Sequence, residues 1–152
     1  MRHAFVAVPV FALLCALSSG STAAAQSHTP VQWAQAQSSD AINQQGDNAY
    51  DRKDYAEAMR LYRQAAAMGN VTAEANIGFL YAKGYGVPQD YAQSVHWYLM
   101  AAEKGQPEAQ HNLALKYWNG LGVAKDPTQA RYWMQKSAAA GDQDAQKWLT
   151  EH

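Results

Sequence analysis

Residues 70–105 read NVTAEANIGFLYAKGYGVPQDYAQSVHWYLMAAEKG, and residues 106–141 read QPEAQHNLALKYWNGLGVAKDPTQARYWMQKSAAAG. Set one above the other without a gap, at an offset of 36, they share Ala73/Ala109, Asn76/Asn112, Tyr81/Tyr117, Gly84/Gly120, Gly86/Gly122, Val87/Val123, Asp90/Asp126, Gln93/Gln129, Trp97/Trp133, Ala102/Ala138 and Gly105/Gly141. The register continues in both directions: Asp54 and Gly69 lie 36 before Asp90 and Gly105, and Ala145 lies 36 after Ala109. A fixed period of this size marks stacked supersecondary units, none of which can bury its apolar face alone.

Each unit reads as two helices. Ile77, Leu80 and Tyr81 fall at helical spacing, which predicts a first helix over 72–83. Gly84-Tyr85-Gly86-Val87-Pro88 then breaks it, since two glycines and a proline in five residues cannot continue a helix. Asp90 is placed to cap a second helix running to about residue 103, with Lys104 at its negative end and Gly105 as a left-handed terminator. The next unit repeats this grammar: Pro107 opens, Gly120-Leu121-Gly122 breaks, Asp126 caps with Pro127 behind it, and Gly141 ends. The second helix also carries small, large and small residues at i, i+4 and i+7: Ala58/Tyr62/Ala65, Ser94/Tyr98/Ala101 and Ala130/Met134/Ser137. Those offsets share one face, so a neighbouring helix can come close while the large residue fills the gap. Gly78 and Ala82 offer close approach from the first helix. The expected fold is all-α, an α-α superhelix (solenoid) of helix-turn-helix repeats.

The N-terminus has another character. Arg2 and His3 precede an apolar run over residues 4–17, followed by small polar residues and Ala23-Ala24-Ala25. That order is the order of a secretory signal peptide over residues 1–25, and the run is short for a membrane span. Cys15 follows Leu14, whereas lipid attachment needs a small residue there, so no lipoprotein is expected. Export to the periplasm or the medium is the expected localisation, with no membrane span left after signal removal. Cys15 is the single cysteine and would leave with the signal, so disulfides, thiol nucleophiles and Cys-ligated metals are not expected. Residues 26–37, QSHTPVQWAQAQ, read as a flexible leader with Trp33 packing onto the first helix.

Charge excludes other classes. The chain has 12 Lys+Arg against 13 Asp+Glu and a formal net charge of −1, with no stretch dominated by one sign. Neither a nucleic-acid groove nor a polybasic membrane patch is indicated. Asp54, Asp90 and Asp126 recur once per unit where helix caps are needed, which is the mark of structure rather than catalysis. His96 and His111 are on different helices without an i, i+4 histidine partner, so no metal site is expected. Gly84-Tyr85-Gly86 lacks the following Lys of a phosphate loop, and there is no G-x-S-x-G. No enzyme and no cofactor are expected.

The pattern A-x-x-N-[IL]-[GA]-x-x-Y-x-x-G-x-G-V-x-x-D, followed by W and a terminal A-x-x-G, resembles the Sel1-like repeat, a relative of the tetratricopeptide repeat with a longer loop inside the unit. Residues 70–141 carry two good copies. Residues 46–58 look like an ordinary tetratricopeptide repeat without the G-x-G-V loop, and residues 142–149 look like the first helix of a further unit. The expected units are therefore 38–69, 70–105 and 106–141, with a capping helix over 142–152.

The resemblance implies a scaffold whose first helices line a groove for a peptide or helix of a protein partner. Carried over by position, the groove residues are Thr72, Ala75, Phe79, Ala82 and Lys83 in one unit and Glu108, His111, Leu115, Trp118 and Asn119 in the next, with Asn43, Asp47 and Tyr50 in the first. Phe79, Lys83, Glu108, His111, Leu115, Trp118 and Asn119 are the partner-binding candidates. Phe79 and Trp118 read equally as core aromatics. Trp97 and Trp133 recur in register and read as structural, and Trp148 as a seal on the last helix. Asp47 stands where a carboxylate clamp would need Asn, so capture of a peptide C-terminus is not expected. The alternative function is a binder of small cell-envelope ligands such as peptidoglycan fragments. It is weakened because this chain lacks the paired cysteines of the members linked to such ligands. Three units are near the minimum for a stable stack, which leaves a monomer or a weak homodimer.

Overall fold

The computed structural model describes the backbone of residues 30–152 and the side chains of residues 38–152. The expected signal peptide and its cleavage point lie outside the described residues, as does the Trp33 side chain. The order is α1 (Pro30–Asp51), α2 (Tyr55–Ala67), α3 (Val71–Lys83), α4 (Tyr91–Glu103), α5 (Pro107–Asn119), α6 (Pro127–Ala139) and α7 (Gln143–Glu151), with no strand among the described residues. The chain is thus the helical solenoid that its period predicts. One stretch departs from expectation. The helix α1 begins at Pro30, inside the supposed leader. Proline suits a first helical turn, and the Val-Gln-Trp-Ala-Gln-Ala-Gln stretch behind it contains no breaker.

Caps set the boundaries. The Asp54, Asp90, Asp126 and Asp142 carboxylates accept backbone N–H bonds at the starts of α2, α4, α6 and α7, and Asn70 and Gln106 do so for α3 and α5. Each Asp or Asn cap stabilises its helix by about 1 kcal/mol relative to alanine.

The small-large-small stripe is the core. All nine of its side chains are buried, none more than 3% exposed. The large member meets a small residue on the preceding helix. A methyl added at Gly46 would lie 2.5 Å from the Tyr62 ring, and one at Gly78 would lie 3.0 Å from the Tyr98 ring. Ala114 and Met134 occupy the same two positions in the third unit. A thinner side chain stands opposite a slightly larger one, so summed volume is held at this contact.

The loops lock one unit to the previous one. Gly84 and Gly120 end α3 and α5 in the left-handed conformation, at φ 70° and 68°. The second loop glycine does something else. A Cβ on Gly86 would lie 2.5 Å from the carbonyl oxygen of Tyr55, and one on Gly122 would lie 2.2 Å from that of Tyr91. Tyr55 and Tyr91 are the first residues of α2 and α4, so each loop presses its backbone against the start of the preceding unit's second helix. The first unit has no such loop: α1 passes to α2 through residues 52–54, with Lys53 at φ 64°.

Gly122→Ala meets both a positive φ and a backbone wall, whereas Gly105, at φ 89°, has nothing within 4 Å of an added Cβ. Gly105→Ala is expected to cost about 1 kcal/mol and Gly122→Ala clearly more than 2 kcal/mol. Urea denaturation of the two variants measures the difference, and equal costs would overturn the locking role of the loop.

Candidate functional site

The first helices of the units share one face, and side-chain hydrogen bonds join α1 to α3 and α5 to α7. Asn70 donates to Asp40 at 2.7 Å and Asn76 donates to Asn43 at 3.3 Å, both between α3 and α1. His111 Nδ1 meets Asp142 Oδ2 at 2.7 Å between α5 and the cap of α7. Three hollows open on this face.

The first, of about 330 Å3, is walled by Asp47, Tyr50 and Asp51 of α1, Tyr62 of α2, Asn76, Phe79 and Leu80 of α3, and Glu108 of α5. Asp47 is held in place: the Tyr62 hydroxyl donates to it at 2.8 Å, Asn43 at 3.3 Å and Asn76 at 3.4 Å. Burial, and then the Asp47 carboxylate, push the Tyr62 phenol far above its ordinary range, so it remains a donor. Tyr50 and Phe79 meet edge to face at 6.0 Å, and Tyr85 backs both at 6.4 and 6.3 Å while stacking on Tyr55 at 4.4 Å.

The second hollow, of about 400 Å3, is lined by Pro107, Glu108, His111, Asn112, Asp142 and Asp144. Burial of Asp142 raises its pKa, but the Ser137 hydroxyl, the Ala145 N–H and His111 outweigh that and hold it at about 2. The third, of about 210 Å3, lies between Phe79, Ala82 and Lys83 of α3, Tyr91 and Tyr98 of α4, Asn112 and Lys116 of α5, and Leu121. The Lys116 ammonium sits 4.3 Å from the Tyr91 ring centre and that of Lys83 sits 5.6 Å from the Phe79 ring centre. Burial, and then the Lys83 charge, lower the Lys116 pKa.

The expected groove residues divide. Phe79, Lys83, Glu108 and His111 line hollows. Leu115 packs on the core between α4, α5 and α6, and Ala75 belongs to that core. Trp118 turns toward the last helix, edge to face with Trp148 at 5.1 Å and with His152 at 5.2 Å. Exposed Asn119 donates to the Leu115 carbonyl one turn back. Asn43, Asp47 and Tyr50 contribute as the first unit's equivalents, while Thr72 is exposed outside these hollows. Sequence reasoning passed over Asp51, Asn76, Tyr91, Lys116 and Leu121. Tyr91 had a signal, since it recurs 36 residues after Tyr55. His96 is exposed, and no group of three metal-ligating side chains exists among the described residues. No described helix is long and apolar enough to cross a membrane.

Asp142 both caps α7 and ties it to α5, and its folded pKa of about 2 lies below the ordinary aspartate value of 3.8. Its contribution is therefore complete above the unfolded value and is lost as pH falls from about 4 to about 2. Acid titration followed by tryptophan fluorescence, which reads the Trp118–Trp148 contact, is expected to show a loss of stability in that window. Asp142→Asn keeps a capping oxygen but cannot titrate, so it should remove this part of the transition.

The Sel1 repeat model matches residues 34–70, 71–106 and 107–142. No curated protein matches. Among solved structures, a Sel1 repeat protein from Oxalobacter formigenes is 36% identical, with a TM-score of 0.65 over 68% of this chain and 41% of that one. A protective antigen of uropathogenic Escherichia coli displaying an SLR fold is 38% identical, with a TM-score of 0.70 over 76% of this chain and 26% of that one. This chain thus spans less than half of either protein. Helicobacter pylori cysteine rich protein B, at 17% identity and a TM-score of 0.57 over 78% of this chain and 96% of that one, shares the fold. Proteins built from these repeats are generally non-catalytic scaffolds for protein–protein interaction. With all three of its units matched, the chain belongs to the Sel1 repeat family.

Proposed function

We propose that this chain is an exported scaffold that captures a peptide segment of a protein partner across α1, α3 and α5 and carries out no reaction itself. The observation that supports this most is the first hollow. Its aromatic floor, Tyr50 and Phe79, is left open by the described side chains, and it is rimmed by the hydrogen-bonded Asp47 and Asn76. Aromatic anchors inside a polar rim are what interface hot spots are made of. Export rests on the order of residues in 1–25, and the periplasm or the medium is the proposed destination.

Crosslinking in the native cell, followed by mass spectrometry, identifies the partner. Phe79→Ala is expected to lose most of the captured partner while helical circular dichroism is retained. Trp118→Asp, which breaks the contact with Trp148, should lower the melting temperature instead. Full capture by Phe79→Ala would overturn the groove reading. A thermal shift with muropeptides and no captured protein would replace it with binding of a small cell-envelope ligand.

A further inference from the structure

The first and third hollows are the same hollow, one repeat apart. The first unit lacks the long loop, so its first helix aligns with the next at an offset of 32, while everything after it aligns at 36. On that register Asp51 becomes Lys83, Tyr62 becomes Tyr98, Asn76 becomes Asn112 and Leu80 becomes Lys116, and each member of these pairs lines its own hollow. Phe79 lines both and forms the wall between them.

The geometry is thus conserved and the charge is inverted. The first hollow presents Asp47, Asp51 and Glu108, and the other presents Lys83 and Lys116. Among the described residues no ion pair joins any of these five side chains to an opposite charge. The two ammoniums instead sit over aromatic rings, close enough that one disfavours the charge of the other. A carboxylate entering the basic hollow would relieve that repulsion. A cation entering the acidic one would find carboxylates beside the aromatic side chains of Tyr50 and Phe79, a setting that favours ammonium and guanidinium groups.

Resting on the groove reading above, we infer that the occupant is an extended peptide with a Lys or Arg side chain in the first hollow and an Asp or Glu side chain in the other. The Asn76 side chain reaches Asn43 across α3 and α1, which sets successive first helices near the spacing of packed helices, roughly 8–10 Å. An extended polyproline-like peptide rises about 3.1 Å per residue with three residues per turn, so side chains at i and i+3 stand on one side about 9 Å apart. The matching spacing is one basic and one acidic residue, three apart.

The test uses acetylated, amidated peptides carrying Lys-x-x-Glu, Lys-x-x-Lys, Glu-x-x-Glu or Gln-x-x-Gln in one neutral sequence, with binding to the purified chain read by fluorescence anisotropy. Lys-x-x-Glu is expected to bind about tenfold or more tighter than the others at low salt, and the advantage should shrink as salt is added. Lys83→Asp with Lys116→Leu gives the second hollow the residue types of Asp51 and Leu80, and the preference should move to Lys-x-x-Lys. Circular dichroism checks that the variant is folded, and Lys83→Gln alone should weaken Lys-x-x-Glu if the double variant is not. Equal binding of mixed and single-sign peptides, or an unchanged ranking in a folded double variant, overturns this inference and leaves the groove standing. Tighter binding of a peptide whose free C-terminus replaces the Glu side chain overturns the side-chain assignment. Binding of none of the four removes the groove reading together with the inference.

Discussion

At Gly86 and Gly122 the backbone of one unit's loop lies against the backbone at the start of the previous unit's second helix, leaving no room for a side chain. This contact fixes how far each unit is displaced from the last. The loop is held at both ends. The Tyr85 N–H bonds the Leu80 carbonyl and the Asp90 N–H bonds the Tyr81 carbonyl, and the pairs Leu121–Lys116 and Asp126–Tyr117 repeat this in the next unit. A rigid loop seated on a helix start transmits the position of α2 to α3 and that of α4 to α5. The parallel row of first helices, and the hollows between them, follow from it.

Much of this was legible. The period, the caps and the stripe all rest on residue types that physics restricts: glycine for positive φ, Asp for an N-terminal turn, small residues for close approach. The fold followed from them. Trp133 is buried and Trp97 packs on the core of the first two units, as their recurrence implies. What could not be read was polar burial. Glu74 is only 2% exposed, and nothing in its neighbourhood of the sequence announces that. The repeat explains it afterwards. Gln110 and Gln146, at the same position of the next units, donate to the carbonyls of Ala102 and Ala138 on the preceding helix. A carboxylate cannot donate, so Glu74 is met by Lys104, 2.5 Å away across the unit.

The candidate groove was legible as a set of positions and less so as a set of roles. Phe79, Lys83, Glu108 and His111 reach the open face, while Leu115 and Trp118, equally apolar in sequence, turn to core and terminal helix. Helical spacing assigns a residue to a face of its own helix, but the neighbour opposite decides whether that face is open. The pairing of the acidic and basic hollows was hidden for a simpler reason. A search at offset 36 does not align α1 with α3, because the first connection lacks the long loop.

That missing loop also gives the stack a direction. Each later unit carries its own clasp and fastens backward onto a ledge made by the start of the preceding second helix. The start of α6, residues Pro127 and Thr128, offers a further ledge beside Arg131 and Tyr132, whereas the turn at 52–54 provides no clasp by which the first unit could fasten onto anything before it. An engineer adding modules would therefore graft a loop and second helix behind α7, where the start of α6 already offers the seat.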